Sequence, residues 1–125
     1  MSQNDFSCTG RFTADPELRY VGDERHEMVA FTLAVDRDEK NEDGSRTADF
    51  PDFVAWRDAA KFICRNFHKG DQITVVNARV KTRNFTVNDG STRHKVEFEV
   101  PSARNIYFGS RRRDRQDSNE SYSDC

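Results

Sequence analysis

One short stretch of helical spacing stands alone in a chain whose other apolar residues fall at every second position. Ala60, Ile63, Cys64 and Phe67 recur at the three- and four-residue intervals that place side chains on one helix face. Asp58 lies near the start and Gly70 is placed to stop the turn, so the spacing predicts a helix over residues 57–69. A single helix set among strands narrows the possible architectures more than any other feature of this chain.

The flanking segments alternate. Phe6, Cys8, Gly10 and Phe12 share one parity, with Ser7, Thr9 and Arg11 on the other, which reads as a strand. Asp15-Pro16 breaks it, and residues 18–20 resume an extended run before Gly22. Residues 28–35 put Phe31, Leu33 and Val35 on one face. Residues 36–45 then carry a dense run of charge and a glycine, the pattern of a solvated loop. Residues 50–56 alternate with bulk on both faces: Phe50, Val54 and Trp56 lie with Asp52, and Phe53 and Ala55 lie opposite. Two long strands follow the helix, over 73–87 and 91–100, hinged at Asn88-Asp89-Gly90, whose residue types suit a hairpin turn. Strands, one helix and a long hairpin fit a small antiparallel β-barrel with an inserted helix better than a sandwich, which needs more strands.

From Gly109 onward apolar residues nearly vanish. Arg111, Arg112, Arg113 and Arg115 give way to Asp117, Glu120 and Asp124, a composition unable to bury enough surface to order itself. One domain over 1–109 and a disordered polar tail over 110–125 are expected. The hydrophobic share is 34%, but ten Phe make a core feasible, because each buried ring removes a large apolar area from water. Twenty Lys and Arg face 22 Asp and Glu, so binding to a polyanion must come from local charge placement, since net charge supplies none.

Several functions lack their signatures. There is no Gly-rich phosphate loop, GxSxG elbow or HExxH, so catalysis is not expected. Cys8, Cys64 and Cys125 are far apart, and His26, His68 and His94 complete no metal set with them, so neither metal nor other cofactor is expected. Free thiols suit a reducing cytoplasm. No apolar run reaches membrane-spanning length and residues 1–4 open no signal peptide, so a cytoplasmic protein is expected.

Aromatic and basic residues coincide instead. Phe50 and Trp56 share one strand face and are followed by Arg57 and Lys61. Lys81, Arg83 and Phe85 share one parity on the hairpin, and Arg93 and Lys95 return along its partner. Flat side chains for stacking, interleaved with cations that follow phosphates, are what a single-stranded nucleic-acid surface requires. Phenylalanine is more often core than surface. Phe53 already supplies the core face of its strand, however, and a core face rarely takes the two cations that share parity with Phe85. Arg79 shares that parity and reads equally as a binding cation or a solvated charge, while Arg19 and Tyr20 read more readily as structural than as binding residues.

These residues resemble the bacterial single-stranded DNA-binding protein family over about residues 6–108. The marks are Gly10-Arg11 followed by Asp15-Pro16-Glu17-Leu18-Arg19-Tyr20, then Phe31-Thr32-Leu33-Ala34-Val35. Ala48-Asp49-Phe50, Val54-Ala55-Trp56-Arg57, Lys69-Gly70 and Lys81-Thr82-Arg83 follow, with Phe85 two residues later. The resemblance implies an all-β, five-stranded oligonucleotide-binding barrel (OB-fold) with one inserted α-helix. It also implies a homotetramer that wraps single-stranded DNA in replication, recombination and repair, with stacking positions at Phe50, Trp56 and Phe85. The chain departs from the family at Glu39, where a further stacking aromatic is common, and at Asp52, which occupies the presumed DNA face. Pro51 stands near the family's subunit contact, and residues 73–80 run one residue long, which predicts a β-bulge. The tail ends in Ser121-Tyr122-Ser123-Asp124-Cys125 in place of the acidic Pro-Phe tip that recruits enzyme partners, so those partners are not expected. A primosomal OB-fold adaptor and a single-stranded RNA-binding module are the alternative functions.

Overall fold

Gly10 lets the first strand approach its neighbour closely. A Cβ there would sit 2.8 Å from the Ala34 carbonyl oxygen and 3.1 Å from the Leu33 Cβ, so any larger residue would push the two strands apart. The computed structural model describes residues 2–109, and the tail expected over 110–125 lies outside them. In chain order the elements are β1 (Phe6–Phe12), β2 (Arg19–Val21), β3 (His26–Lys40), β4 (Arg46–Asp49), β5 (Asp52–Trp56) and α1 (Arg57–Asn66). Strands β6 (Gln72–Thr86) and β7 (Thr92–Val100) follow, then a 3-10 turn at Ala103–Asn105 and β8 (Ile106–Phe108).

Five strands close on themselves. β1 pairs antiparallel with β3 on one edge and with β6 on the other. β3 pairs with β5, β5 runs parallel to β7, and β7 pairs with β6, giving the ring β1-β3-β5-β7-β6. β2 and β4 add to β3, and β8 adds to β6. This is the expected barrel with the expected helix between its third and fourth strands, and closure leaves the five barrel strands without an open edge.

Rings fill the interior. Phe12, Phe31 and Phe53 form a run of near-parallel rings with centroids 5.0 and 5.2 Å apart, and Phe67 joins Phe12 at 5.2 Å. Ala59, Ala60, Ile63 and Cys64 bring one face of α1 into the same core. Burying each such Phe is worth roughly 1.5–3 kcal/mol, which is how a chain with few apolar residues still holds a barrel.

The structure departs from sequence expectation in four places. α1 ends at Asn66 instead of reaching residue 69, because Phe67 turns extended (φ −126°) to enter the core. Gly70 serves the turn beyond it, with φ +89° and its amide donating to the Phe12 carbonyl. Residues 36–40 continue β3 and pair with β4, so half of the expected loop is a β-ribbon. Two hydrogen bonds from Arg37 to the Asp49 carboxylate help hold it. The strand expected from residue 50 begins at Asp52, since Pro51 has no N–H for a ladder. β8 has no signature in the sequence, because three residues are too few to show a period. The expected bulge is present, with Phe6 opposite Ala78 and Cys8 opposite Val75, and Asn77 at φ +56°.

Candidate nucleic-acid interface

Strand register assembles one continuous outer face from β3, β5, β7 and β6. Phe53 and Ala55 are buried in the core, so their neighbours point outward, and the inward residues of β3 are Val29, Phe31 and Leu33. Across the outer face Met28 lies opposite Trp56, Ala30 opposite Val54, Val54 opposite Glu99 and Glu99 opposite Arg79. The same face continues along the hairpin with Lys81 opposite Glu97, Arg83 opposite Lys95 and Phe85 opposite Arg93. Trp56, Lys81, Arg83, Phe85, Arg93 and Lys95 are therefore brought onto one surface. Phe85 lies six residues beyond Arg79, about 20 Å along the strand, with Trp56 on the far side of that row. A stretch of this length accommodates several nucleotides of an extended strand.

The remaining candidates stand apart. Phe50 continues the parity of Trp56 and Asp52 but precedes β5; it is 61% exposed beside a groove of ≈ 570 Å³ that it shares with Phe6, Val35, Pro51 and Phe98. Lys61 lies on α1, where its ammonium meets Glu27 at 3.0 Å, and Glu27 has the inward parity of Val29. Bonds from its own backbone and from Lys61 hold the Glu27 carboxyl below the ordinary range, while bonding to Glu27 raises Lys61. Lys61 is thus engaged within the fold and away from the Trp56 row. Arg57 opens α1 in the left-handed region (φ +57°), which turns the chain sharply out of β5 immediately after Trp56.

Several residues at this face carry no local sequence signal. Arg104, in the 3-10 turn after β7, lines a cleft of ≈ 440 Å³ with Trp56, Arg57 and Pro101, so a second cation flanks the tryptophan. Nothing local in the sequence marks it; only the return of the chain past β5 brings it there. On the hairpin, Glu99 meets the Lys81 ammonium at 3.3 Å and Glu97 meets the Arg83 Nε at 3.6 Å. Asp52 accepts a hydrogen bond from the Thr32 hydroxyl at 2.6 Å. Three carboxylates thus share the face that carries these cations. Among the described residues no group of three His, Cys, Asp or Glu could hold a metal ion. No described helix is long and apolar enough to cross a membrane.

A five-stranded barrel with one helix, an aromatic-basic outer face and a long hairpin has a counterpart among known families. The family model described as "Single-strand binding protein family" matches residues 3–106. The chain belongs to that family. Its curated relatives agree. Single-stranded DNA-binding protein 3 of Listeria innocua is 42% identical over 93 residues, covering 74% of this chain and 57% of the relative. Single-stranded DNA-binding protein 2 of Listeria monocytogenes is 38% identical over 104 residues, 78% of this chain and 64% of the relative. Single-stranded DNA-binding protein 1 of Streptococcus pyogenes is 36% identical over 99 residues, 79% of this chain and 75% of the relative. The chain thus spans little more than half the length of the first of these and three quarters of the third.

Proposed function

We propose that this member of the single-strand binding family binds single-stranded DNA largely without sequence preference and protects it during replication, recombination and repair in the cytoplasm. One observation carries the reading: register places Trp56 and Phe85 on a single outer face, with Lys81, Arg83, Arg93 and Lys95 along the hairpin. Phe85 is 44% exposed, far more than a core ring would be. Bases stack on such rings whatever their identity, since every base has a π-face, and the cations follow the phosphates. The protein's role is binding rather than catalysis. Arg57 and Arg104 flank the base held at Trp56, while Phe50 meets the strand beyond the end of β5.

The same reading includes a homotetramer. Val80 and Val96, on the hairpin face opposite Phe85, are 40% and 52% exposed, as expected of a surface that other copies cover.

Titration with poly-dT, poly-rU and duplex DNA at several salt concentrations tests the function. Poly-dT should bind far more tightly than duplex and more tightly than poly-rU, with affinity falling steeply as salt rises. Equal affinity for all three would overturn the reading.

A further inference from the structure

Two of the cations on the proposed DNA face already have partners of their own. Glu97 stands opposite Lys81 and reaches diagonally to Arg83, while Glu99 stands opposite Arg79 and reaches diagonally to Lys81. The side chains of Glu97 and Glu99 are only 20% and 24% exposed, against 62% for Arg83 and 56% for Lys81. The carboxylates therefore lie low against the sheet and the cationic heads stand above them. Nearer the turn, Arg93 and Lys95 make no ion pair among the described residues. Arg79, nearest the barrel, makes none among the described residues either, so the internally neutralised cations are Lys81 and Arg83 in the middle of the arm.

Resting on the DNA-binding reading above, we propose that Glu97 and Glu99 are displaceable internal counter-ions that set the affinity and salt sensitivity of this face. A free lysine or arginine that contacts a phosphate releases a condensed cation from the DNA, and that release makes binding weaken with salt. A lysine or arginine taken from a carboxylate does something different. The phosphate contact releases one cation, but the abandoned carboxylate recruits another from solution, so the net release is close to zero. Pairs of this exposure are weak enough for a phosphate to open. Lys81 and Arg83 consequently contribute position and contact without adding to the salt slope, and the protein keeps its grip at salt concentrations where a face of free cations would let go. The carboxylates also lower affinity when salt is scarce, which restrains attachment to any polyanion that offers no base for Trp56 and Phe85.

The test uses the full chain and a fluorescently labelled dT oligonucleotide, read by anisotropy from low to high salt. Glu97→Gln and Glu99→Gln keep the side-chain shape and remove the counter-charge. Each should tighten binding roughly 2- to 5-fold at low salt and steepen the logarithmic salt slope by about 0.7, so that the advantage fades as salt rises. Glu42→Gln, on the acidic ribbon, makes the same change in net charge off the face and should leave the slope unaltered. Lys81→Met supplies an independent reading. It should leave the slope nearly unchanged in the parent chain and reduce it by about 0.7 once both glutamates are replaced. Weaker binding in the glutamate variants, or a slope change no larger than that of Glu42→Gln, would overturn the proposal. Phe85→Ala separates the two levels. If it weakens binding while the glutamate variants change nothing, the face is right and the counter-ion role is wrong. If Phe85→Ala binds as the parent does, the face itself is wrong and both fall.

Discussion

Two long β-ribbons extend this barrel, and they differ in almost everything except backbone. The β3–β4 ribbon, residues 36–49, carries six carboxylates against three cations and no aromatic ring. The β6–β7 hairpin, residues 79–99, carries five lysines and arginines against three carboxylates, with Phe85 toward its end and Phe98 at its root. Both turn tightly by the same device: an aspartate (Asp43 in one, Asp89 in the other) accepts from the amide and hydroxyl of a serine two residues on. The ladder supplies the arm and the side chains decide its use. The overall charge of −2 conceals the division, because an acidic arm and a basic arm nearly cancel.

The arms are also rooted differently. Phe98 stacks on Phe6 with centroids 3.9 Å apart and approaches Phe53 at 5.6 Å, so the hairpin grows out of the aromatic core. The acidic ribbon depends on backbone pairing and on exposed polar contacts, from Arg37 to Asp49, from Arg46 to the Arg37 carbonyl and from Asn41 to Ser45 and Thr47. The largest expected effect follows from this. Phe98→Ala should cost about 3 kcal/mol of stability, the lower end for a truncated phenylalanine because the ring is only partly buried. A urea midpoint that fails to move would show the hairpin to be independent of the core.

Phe85→Ala comes next in size. It should weaken binding to single strands by about 1–3 kcal/mol and change folding stability by no more than roughly 0.5 kcal/mol. The contrast with Phe98→Ala separates the two rings of one hairpin. A large loss of stability in Phe85→Ala would mean that this ring packs rather than stacks.

Much of this was legible in the residues, and what was not has a common cause. The alternation around Phe53 and Ala55 gave the two faces of β5, and Asn88-Asp89-Gly90 gave the hairpin, because both signals are local. The bulge beside Asn77 was legible as one residue too many. The acidic run read as loop because a row of charges has no apolar period; its strand exists through pairing with Ala48 and Asp49, more than ten residues away. The partners of Lys81 and Arg83 were hidden likewise, since a diagonal contact across a hairpin needs the register as well as the parity. Phe67 ended the helix early because the core needed its ring, a demand that overrides helical propensity. Of the site, Trp56, Phe85 and four hairpin cations were placed on one face by parity. Lys61 was not, because parity says nothing about where a helix side chain goes after the chain leaves the sheet.

Acid provides the smallest and most selective comparison of the ribbons. Bonding to Arg37 holds the Asp49 carboxyl below the ordinary range, and bonding to Ser45 does the same for Asp43. A carboxyl depressed in the folded state contributes stability above its unfolded value, and that contribution disappears as pH falls through the folded one. The acidic ribbon carries two such groups and the hairpin turn one, Asp89. Amide protection factors should therefore fall first over residues 36–49 as pH drops below about 4, with the hairpin ladder protected further into acid. Simultaneous loss of protection would show that the two arms unfold as one unit.

Trp56 is the only tryptophan in the chain and sits at one end of the proposed face, so its fluorescence reports on that face alone. Emission should be followed during titration with poly-dT while anisotropy of labelled DNA records occupancy independently. A base stacked on the indole should quench it in proportion to occupancy, saturating with the anisotropy signal and far exceeding any change caused by duplex. Emission that stays unquenched when anisotropy shows the protein saturated would place the DNA elsewhere and contradict the account.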